Sequence, residues 1–290
     1  MPLPKILLLG ATGLVGRALL RVAGARGIAI VGAARTGADI MVDVTRDEDL
    51  AAVIERSGCG LVVNATMSGG IEACHRDPGG TYLVDGRAVR ILTELCRRRG
   101  MPFVHLSTDH FFTGDGAARH DESAPVVLVN DYAAGKYAGE RFALTYPRSL
   151  VIRTNVAGHR GWAGRPTFAE WAVAALAGNQ EITGFSDYHC STIDSDSLAH
   201  AILDLTSGGA SGLLNVGATE VASKYAFLDA LARRLGLPDR CLVEGSVAGL
   251  VPRRAESLGL DVSKAEGLLG RRLPTLEEVV DHLARSIAGA

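Results

Sequence analysis

Short apolar runs alternate with longer amphipathic stretches over the first half of the chain. Lys5–Gly10 (KILLLG) is a continuous apolar run ending in glycine, as expected of a strand buried on both faces. The same rhythm predicts further strands at Ile28–Ala34, Leu61–Ala65, Phe103–Ser107 and Ser149–Thr154, and helices at Leu14–Ala25, around Ala51–Arg56, at Thr81–Arg99 and at Tyr132–Leu144. Strands that alternate with helices of this length indicate βαβ units. We therefore predict an α/β fold with a Rossmann-type, doubly wound parallel sheet.

The alternation weakens after about Val156. Gly184–Ser197 is polar and rich in Gly and Asp, which is typical of loops that line a site, whereas Gly212–Gly217 (GLLNVG) predicts a late strand. Surface helices are expected at Tyr225–Leu235, Ser263–Leu269 and Leu276–Ile287. The pattern predicts a sheet domain over residues 1–157 and a smaller C-terminal lobe over residues 158–290, with a strand near 193–217 returning to the sheet.

Composition narrows the class of protein. Of 290 residues, 47% are hydrophobic and 21% are charged, which fits a globular enzyme and excludes collagen-like, disordered and disulfide-framework classes. The 30 basic and 32 acidic residues give a formal net charge of −2, and 5% of residues are aromatic. Nucleic-acid binding uses clustered basic charge and stacking surfaces, so we expect no nucleic-acid partner.

The cysteines and the apolar runs bear on location. The five cysteines are scattered without a C-x-x-C pair, which favours reduced thiols in a cytoplasmic protein. No apolar run reaches the roughly 18 residues of a membrane span, and the first apolar run leads into a fold motif rather than a signal peptide. No His, Cys and Asp cluster has zinc-ligand spacing, so we predict no metal.

Three glycines follow the first predicted strand in the spacing G-x-x-G-x-x-G, at Gly10, Gly13 and Gly16. Glycines at a strand-to-helix turn allow close backbone approach to a pyrophosphate, which then lies at the helix N-terminus. The loop predicts a dinucleotide-binding site formed by Gly10, Thr12, Gly13, Leu14, Val15 and Gly16.

The end of the second strand bears on which dinucleotide binds. An acidic residue there would hold the ribose 2′-hydroxyl of NAD, whereas an arginine accommodates the 2′-phosphate of NADP. The sequence has Arg35 at this position and no acid before Asp39, which favours NADP(H) and leaves NAD(H) as the alternative. Asp43 and Val44 follow at a distance suited to contact with the adenine.

Two segments form a candidate catalytic set. Thr108 follows the strand VHLS, at the carboxyl edge where open α/β sheets place their ligands, and Tyr132 and Lys136 lie one helical turn apart. A free tyrosine has a pKa of about 10, and a neighbouring ammonium lowers it towards neutral pH. The set predicts hydride transfer to a carbonyl, with Tyr132 as general acid, Thr108 on the substrate oxygen and Lys136 on the nicotinamide ribose.

These motifs resemble the extended short-chain dehydrogenase/reductase superfamily, and within it the dTDP-4-dehydrorhamnose reductase family. The resemblance spans essentially the whole chain and is carried by GATGLVG, DVT, VVNAT, VHLSTDHFFTG, YAAGKYAGE, VIRTNVAG and GLDVSKAEGLLG. It implies an NADPH-dependent oxidoreductase that reduces a 4-keto-6-deoxy sugar nucleotide, as in dTDP-rhamnose biosynthesis. Thr108, Tyr132 and Lys136 match the family's catalytic positions, and Ala65 and Thr66 match a loop beside the cofactor ribose. The lobe over residues 158–290 would bind the sugar nucleotide, and a homodimer is left open.

The chain departs from the family pattern where the sugar is expected. His110 replaces a Tyr, Asn155 replaces a Trp, Cys190-Ser191-Thr192 replaces a Pro-Thr loop, Thr113-Gly114 replaces Asp-Gly, and Asp85 replaces an Asn. The departures indicate an altered sugar pocket. Candidate substrate contacts are Asp109, His110, Asn155, His189 and Arg254.

Other activities of the superfamily are weighed against the same residues. Related 4,6-dehydratases place Asp-Glu after the catalytic Thr, and the Asp109-His110 pair here disfavours dehydration. A sugar-nucleotide epimerase uses the same triad and stays open. A non-catalytic, dinucleotide-binding regulatory subunit that resembles the one of methionine adenosyltransferase also stays open, although the complete triad favours an enzyme.

Overall fold

The computed structural model describes residues 3–162 and 165–289. Residues 1 and 2 of the predicted sheet domain, and residues 163, 164 and 290 of the predicted lobe, lie outside the described residues. The strands are β1 (Ile6–Leu9), β2 (Ile30–Ala34), β3 (Ile40–Met41), β4 (Leu61–Asn64), β5 (Phe103–Leu106), β6 (Arg119–His120), β7 (Ser149–Arg153), β8 (Asn155–Ala157), β9 (Ile182–Phe185), β10 (His189–Cys190), β11 (Thr192–Asp194), β12 (Gly212–Asn215), β13 (Ala222–Ser223), β14 (Leu242–Gly245) and β15 (Ser257–Leu260).

The α-helices are α1 (Leu14–Ala25), α2 (Asp47–Ser57), α3 (Ile71–Arg76), α4 (Pro78–Thr81), α5 (Ala88–Arg99), α6 (Asp131–Ala143), α7 (Phe168–Ala177), α8 (Ser195–Ser207), α9 (Lys224–Arg234), α10 (Ser263–Leu269) and α11 (Leu276–Ala288). A π-helical segment, Tyr82–Arg87, joins α4 to α5, and a 3₁₀ turn spans Asp239–Cys241.

The large sheet has seven strands in the order β3-β2-β1-β4-β5-β7-β12. Neighbouring strands from β3 to β7 pair in parallel, with Leu7 of β1 opposite Val31 on one side and Val62 on the other. This order reverses direction between β1 and β4, as in a doubly wound Rossmann sheet. The predicted fold class is confirmed.

The chain forms two compact units built from separated segments. Unit 1 comprises Met1–Thr108, Leu128–Arg153 and Ala199–Leu214, and unit 2 comprises Asp109–Val127, Thr154–Leu198 and Asn215–Ala290. The sequence-based boundary at residue 157 differs from this division chiefly at residues 109–127. That segment belongs to unit 2 because its strand β6 pairs with β15 and the Phe112 carbonyl accepts a hydrogen bond from the Ser257 N–H at 3.2 Å.

Unit 2 is built around short strands and two packed helices. One sheet has the order β13-β10-β15-β6, and two further pairs join β8 to β11 and β9 to β14. Its apolar core includes Phe227 and Leu231 of α9 with Val280 and Leu283 of α11. This core supports the strand ends that carry the polar cluster described below.

Some predicted element types and bounds were wrong. Gly184–Ser197, expected as loops, contains β10, β11 and the start of α8, and helix α7 was not predicted. Strands of two or three residues are too short to show a period of two in the sequence. The helix expected over Thr81–Arg99 is continuous but contains the π-helical segment.

Candidate active site

The three glycines form a tight turn between β1 and α1 in unit 1. Gly10 has φ +81°, and a Cβ there would lie 2.6 Å from the carbonyl oxygen of Ala65. A Cβ on Gly16 would overlap the carbonyl oxygen of Gly10 and lie 2.8 Å from Cα of Ala11. The loop therefore needs glycine at both positions, because a side chain would occupy the space the backbone uses.

The N-terminus of α1 fits an anionic ligand. Its cap is Gly13, no side chain caps the helix, and no acidic residue lies in its first turn. The positive end of the helix dipole and the N–H groups after Thr12, including those of Leu14 and Val15, are thus suited to a diphosphate. These observations show that the predicted loop fits a dinucleotide.

Arg35 follows the last residue of β2 and is exposed. The carboxylate of Asp39 accepts a hydrogen bond from the backbone N–H of Gly32 at 2.8 Å. That acid is therefore engaged with the strand, while the Arg35 guanidinium is exposed at the position where the sequence predicts the extra phosphate of NADP.

Asp43 and Val44 lie in the turn before α2. The Asp43 carboxylate accepts hydrogen bonds from the Thr45 N–H at 3.0 Å and the Thr45 hydroxyl at 2.8 Å. The backbone bond from Thr45, then the hydroxyl bond, lower the pKa of Asp43 below its ordinary value, and the charge of Arg35 adds to this. Val44 is buried. Asp43 is thus ionised and Val44 supplies apolar surface at this edge of the sheet.

Ala65 and Thr66 begin the loop after β4, directly beside the glycine turn. The buried Asn64 side chain accepts hydrogen bonds from the Thr66 N–H at 3.2 Å and hydroxyl at 2.7 Å. The N–H of Ala65 donates to the carbonyl of Leu9 at 3.0 Å. The loops after β1 and β4 therefore meet at the position where the strand order reverses, which is the usual ligand site of such sheets.

The candidate catalytic residues lie at the end of β5 and the start of α6, all in unit 1. Asn130 caps α6 by accepting from the Ala133 N–H at 2.9 Å, which places Tyr132 in the first turn and Lys136 one turn later. Thr108 and Lys136 are buried, and Tyr132 is partly exposed. The Lys136 ammonium donates to the Leu106 carbonyl at 2.7 Å, which ties α6 to the end of β5.

A buried ion pair braces this end of the sheet. Glu140 accepts from Arg153 Nη2 at 2.6 Å and from Nε at 3.0 Å, and it also accepts from the Ser107 hydroxyl at 2.9 Å. The bidentate geometry is the strong form of such a pair. It joins α6, β7 and the residue before Thr108, so the candidate catalytic residues lie on a rigid support.

Asp109 and Asn155, both predicted substrate contacts, meet in a polar cluster of unit 2. The Asn155 amide donates to Asp109 at 2.8 Å, and its oxygen accepts from the Thr192 hydroxyl at 3.0 Å and from Lys224 Nζ at 3.4 Å. Asp109 is buried and Asn155 is partly exposed. We name Asp109, Asn155, Thr192 and Lys224 the Asn155 cluster.

His110 is buried in the same unit and shares a hydrogen bond of 2.6 Å with the Tyr188 hydroxyl. Burial first, and then the charges of Arg254 and Lys224, lower the pKa of His110 to about 3. The imidazole is therefore neutral at physiological pH. It acts as a hydrogen-bonding group and not as a cation.

His189 and Arg254 take other positions in unit 2. His189 is partly exposed on β10, opposite Ser257 of β15. The Arg254 guanidinium donates to the Pro252 carbonyl at 2.7 Å. Neither of these contacts reaches the Asn155 cluster, so both residues stay predicted substrate contacts.

Sequence reasoning missed Lys224 and Tyr188. The Lys224 ammonium lies 5.1 Å from the Phe168 ring centre and 5.8 Å from that of Tyr188. It also lines a pocket of about 380 Å³ formed by Phe168, Trp171, Glu181, Ile182, Thr183, Phe185, Lys224 and Leu228. Lys224 is the first residue of α9, 69 positions after Asn155, and no motif in the sequence links the two.

Comparison with known proteins places this geometry in a family. The model of the RmlD substrate binding domain family matches residues 4–287. The chain belongs to this family. This confirms the family resemblance inferred from the motifs, since the chain matches both the RmlD substrate binding domain model and proteins named dTDP-4-dehydrorhamnose reductase.

Three similar proteins differ in how much of the chain they match and at what sequence identity. A probable low-salt glycan biosynthesis reductase of Haloferax volcanii is 28% identical over 93% of each chain. A dTDP-4-dehydrorhamnose reductase of Burkholderia thailandensis is 37% identical over 47% of this chain and 44% of its own length. A dTDP-4-dehydrorhamnose reductase of Bacillus anthracis, solved in complex with NADP, has a TM-score of 0.88 at 19% identity over 99% of each chain, which shows the shared fold.

Metal ligation and membrane insertion find no support among the described residues. In residues 3–162 and 165–289, no group of three His, Cys, Asp or Glu side chains is arranged to hold a metal ion. No helix within that same part of the chain is long and apolar enough to cross a membrane.

Proposed function

We propose that this protein is an NADPH-dependent reductase of a 4-keto-6-deoxy sugar nucleotide, similar in activity to the dTDP-4-dehydrorhamnose reductases it matches. One observation carries the proposal: Thr108, Tyr132 and Lys136 lie at the end of β5 and the start of α6, in the unit that also carries the glycine turn. Family membership and the reductase names of relatives support the reaction class.

Unit 1 supplies the cofactor site in this proposal. Gly10, Gly13 and Gly16 leave room for a diphosphate at the N-terminus of α1, and Arg35 would pair with the 2′-phosphate. Val44, Ala65 and Thr66 would line the adenine and ribose ends. When bound, NADPH supplies the hydride that reduces the carbonyl. NAD(H) as the natural cofactor would require Arg35 to play no part in binding.

The catalytic residues of the chain handle the proton. Tyr132 donates its phenolic proton to the oxygen of the C4 carbonyl as that oxygen gains negative charge. Thr108 donates a hydrogen bond to the same oxygen and orients it. Lys136 holds a ribose hydroxyl, and its ammonium, anchored on the Leu106 carbonyl, stabilises the phenolate that Tyr132 becomes.

Unit 2 supplies the substrate contacts in this proposal. The Asn155 cluster offers the amide, hydroxyl and ammonium groups that bind sugar hydroxyls and phosphate. The neutral His110 adds a hydrogen-bonding group, and His189 and Arg254 stay candidate contacts. Phe168 and Trp171, 40% and 43% exposed, give the adjoining pocket flat aromatic faces suited to a nucleobase. Five free cysteines fit a reaction in the reducing cytoplasm.

A substrate panel tests the proposal. The protein is mixed with NADPH and 4-keto-6-deoxy sugar nucleotides that differ in base and sugar, and the nicotinamide absorbance is followed. We expect turnover with at least one member, and a loss of about 100-fold or more in kcat for Tyr132→Phe with unchanged NADPH affinity. Tight NADPH binding without turnover across the panel would instead support a regulatory subunit. Product identification by NMR separates reduction from C4 epimerisation.

A further inference from the structure

Asp85 is a buried carboxylate beside Lys136 that the proposed mechanism does not use. It lies in the π-helical segment, and its side chain is 1% exposed. One oxygen lies 3.5 Å from the Lys136 ammonium, whose own side chain is 4% exposed. The other oxygen accepts hydrogen bonds from the Ser68 hydroxyl and from the Ser68 N–H, the latter at 3.1 Å. The two hydrogen bonds from Ser68 thus fix the orientation of the Asp85 carboxylate and leave its other oxygen towards the Lys136 ammonium.

The backbone brings this carboxylate close to α6. A Cβ on Gly135 would lie 2.7 Å from Cγ2 of Thr81, and a Cβ on Gly139 would overlap the carbonyl oxygen of Asp85. These two glycines are one turn apart, so α6 approaches the π-helical segment closely along the side that carries them. π-helical segments within helices are frequent at functional sites. The close approach of α6 to the π-helical segment therefore allows Asp85 and Lys136 to lie next to each other.

The other charged groups on elements packed against α6 are engaged elsewhere or exposed. His105 of β5 is buried, and this burial, with a further contribution from the charge of Lys136, holds the pKa of His105 well below its ordinary value, so it carries no charge. The paired groups are His75 with Asp131, Arg87 with Asp47, Arg153 with Glu140, Arg97 and Arg98 with Glu94, and Arg99 with Glu55. Glu72, Arg76, Arg90 and Arg141 are exposed to solvent.

We propose that Asp85 is a positioning residue that holds the Lys136 ammonium in place and keeps Tyr132 protonated. A buried negative charge favours the protonated form of every acid near it, and the low polarity of the site strengthens the effect. Loss of this proton ends reduction, because Tyr132 must donate it to the substrate. Asp85 would thus allow reduction to continue to higher pH. This inference rests on the proposed function.

The first test compares Asp85→Asn with the control Glu94→Gln, a matched carboxyl-to-amide change at a partly exposed position on α5. In Asp85→Asn, we expect the high-pH fall in kcat/KM to move to lower pH by about one unit or more, with most of kcat retained on the plateau. Glu94→Gln should reproduce the wild-type profile. A uniform fall in kcat without movement of the profile would show that Asp85 is merely structural and would overturn the proposal.

A second measurement does not depend on turnover. Ionisation of Tyr132 is followed in the cofactor-free protein by the ultraviolet absorbance of tyrosinate, as the difference between each protein and the same protein carrying Tyr132→Phe. We expect Tyr132 to ionise at lower pH in Asp85→Asn than in wild type. Unchanged ionisation contradicts the role of Asp85 even if the reductase assignment holds. A shift without any turnover supports Asp85 and counts against the proposed function alone.

Ser68→Ala covers the case in which Asp85→Asn does not fold. This variant keeps the carboxylate and the backbone bond from Ser68 but removes the hydroxyl that orients it. We expect a smaller shift of Tyr132 ionisation in the same direction. Two results together would overturn the proposal. One is that Tyr132 ionises as in wild type in a folded Ser68→Ala protein. The other is that Asp85→Asn either shows wild-type ionisation of Tyr132 or does not fold.

Discussion

Arg35 is the residue on which we propose that the choice between the two nicotinamide cofactors depends. It follows β2 directly and is exposed, whereas the nearest acid along the chain, Asp39, accepts from the Gly32 N–H. A guanidinium in this position meets a 2′-phosphate favourably and gains nothing from a 2′-hydroxyl. In this proposal, cofactor preference rests on one exposed side chain, that of Arg35.

We predict that Arg35→Ala lowers the preference for NADPH over NADH by roughly ten-fold or more, which corresponds to one charge-assisted hydrogen bond. The dissociation constants of both cofactors, measured by fluorescence titration, check this. Arg56→Ala, an exposed arginine in the last turn of α2, serves as the control. An unchanged ratio of the two constants in Arg35→Ala would exclude Arg35 from the cofactor site.

His110 makes the folded protein sensitive to acid. Its pKa is about 3 when folded against an ordinary value of 6.5, so below pH 6.5 the unfolded chain binds a proton that the folded chain does not. Stability contributed by the neutral imidazole is present above pH 6.5 and is lost as pH falls towards about 3.

We predict that His110→Gln loses less unfolding free energy than wild type between pH 7 and pH 4.5, by about 2 kcal/mol. Urea unfolding of each protein at both pH values gives its change in unfolding free energy. A loss of stability that is the same at both pH values cancels in this change. His75→Gln, which changes an exposed histidine, should lose as much as wild type. Equal losses in His110→Gln and wild type would mean that His110 is not a buried neutral group.

At the scale of elements, the packing of α6 on the π-helical segment decides where Lys136 lies. We predict that Gly139→Ala destabilises the protein by about 1–3 kcal/mol, because the added carbon overlaps the Asp85 carbonyl and lies 3.1 Å from Nε2 of His105. Thermal and urea unfolding check the change.

Gly24→Ala is the matched control, since it is also a glycine in a helix but has no atom within 4 Å of the added carbon. It should raise stability by up to about 1 kcal/mol, as alanine favours a helix over glycine. Equal effects of the two substitutions would show that the close approach of α6 to Asp85 is not tight.

The long elements could be predicted from sequence and the short ones could not. Lys5–Gly10 predicts β1 because its apolar run is continuous and ends in glycine, and Leu14–Ala25 predicts α1 because its apolar positions repeat over enough residues to set a helical period. β10 has two residues, and the π-helical segment differs from its α-helical neighbours only in hydrogen bonding. Both arise from tertiary packing, which the local pattern does not record.

The candidate site divides in the same way. Gly10, Tyr132 and Lys136 lie within local motifs, and the spacing of each motif predicts how its residues are arranged. These residues could therefore be found from the sequence. Lys224 and Asn155 are brought together only by the fold of unit 2. Asp85 was noted as a departure from the family, yet its partner Lys136 is 51 positions away and became evident only from the structure.

At the scale of the whole molecule, unit 2 depends on residues that precede most of it. Residues 109–127 supply β6 to its four-stranded sheet, and the Asn215 amide donates to the His120 carbonyl at 2.9 Å. A fragment of residues 158–290 lacks this strand and the buried Phe111 and Phe112. It therefore leaves the edge of β15 and an apolar surface uncovered.

We predict that the 158–290 fragment does not fold cooperatively. Circular dichroism during thermal unfolding, and amide exchange in β15, measure this. A matched polypeptide that joins residues 109–127 by a flexible linker to residues 154–290 should restore exchange protection in β15. A sharp unfolding transition in the shorter fragment would contradict the prediction.

The division of each unit into separate chain segments has a consequence for how substrate preference can change in evolution. The chain passes between the two units five times, at junctions that include Thr108–Asp109 beside one proposed catalytic residue and Val127–Leu128 shortly before another. The proposed sugar-binding residues are therefore distributed over three separate segments of unit 2. Exchange of one block by recombination would separate Asp109 from Asn155, so new preferences in such a chain arise through scattered point substitutions in a shared scaffold.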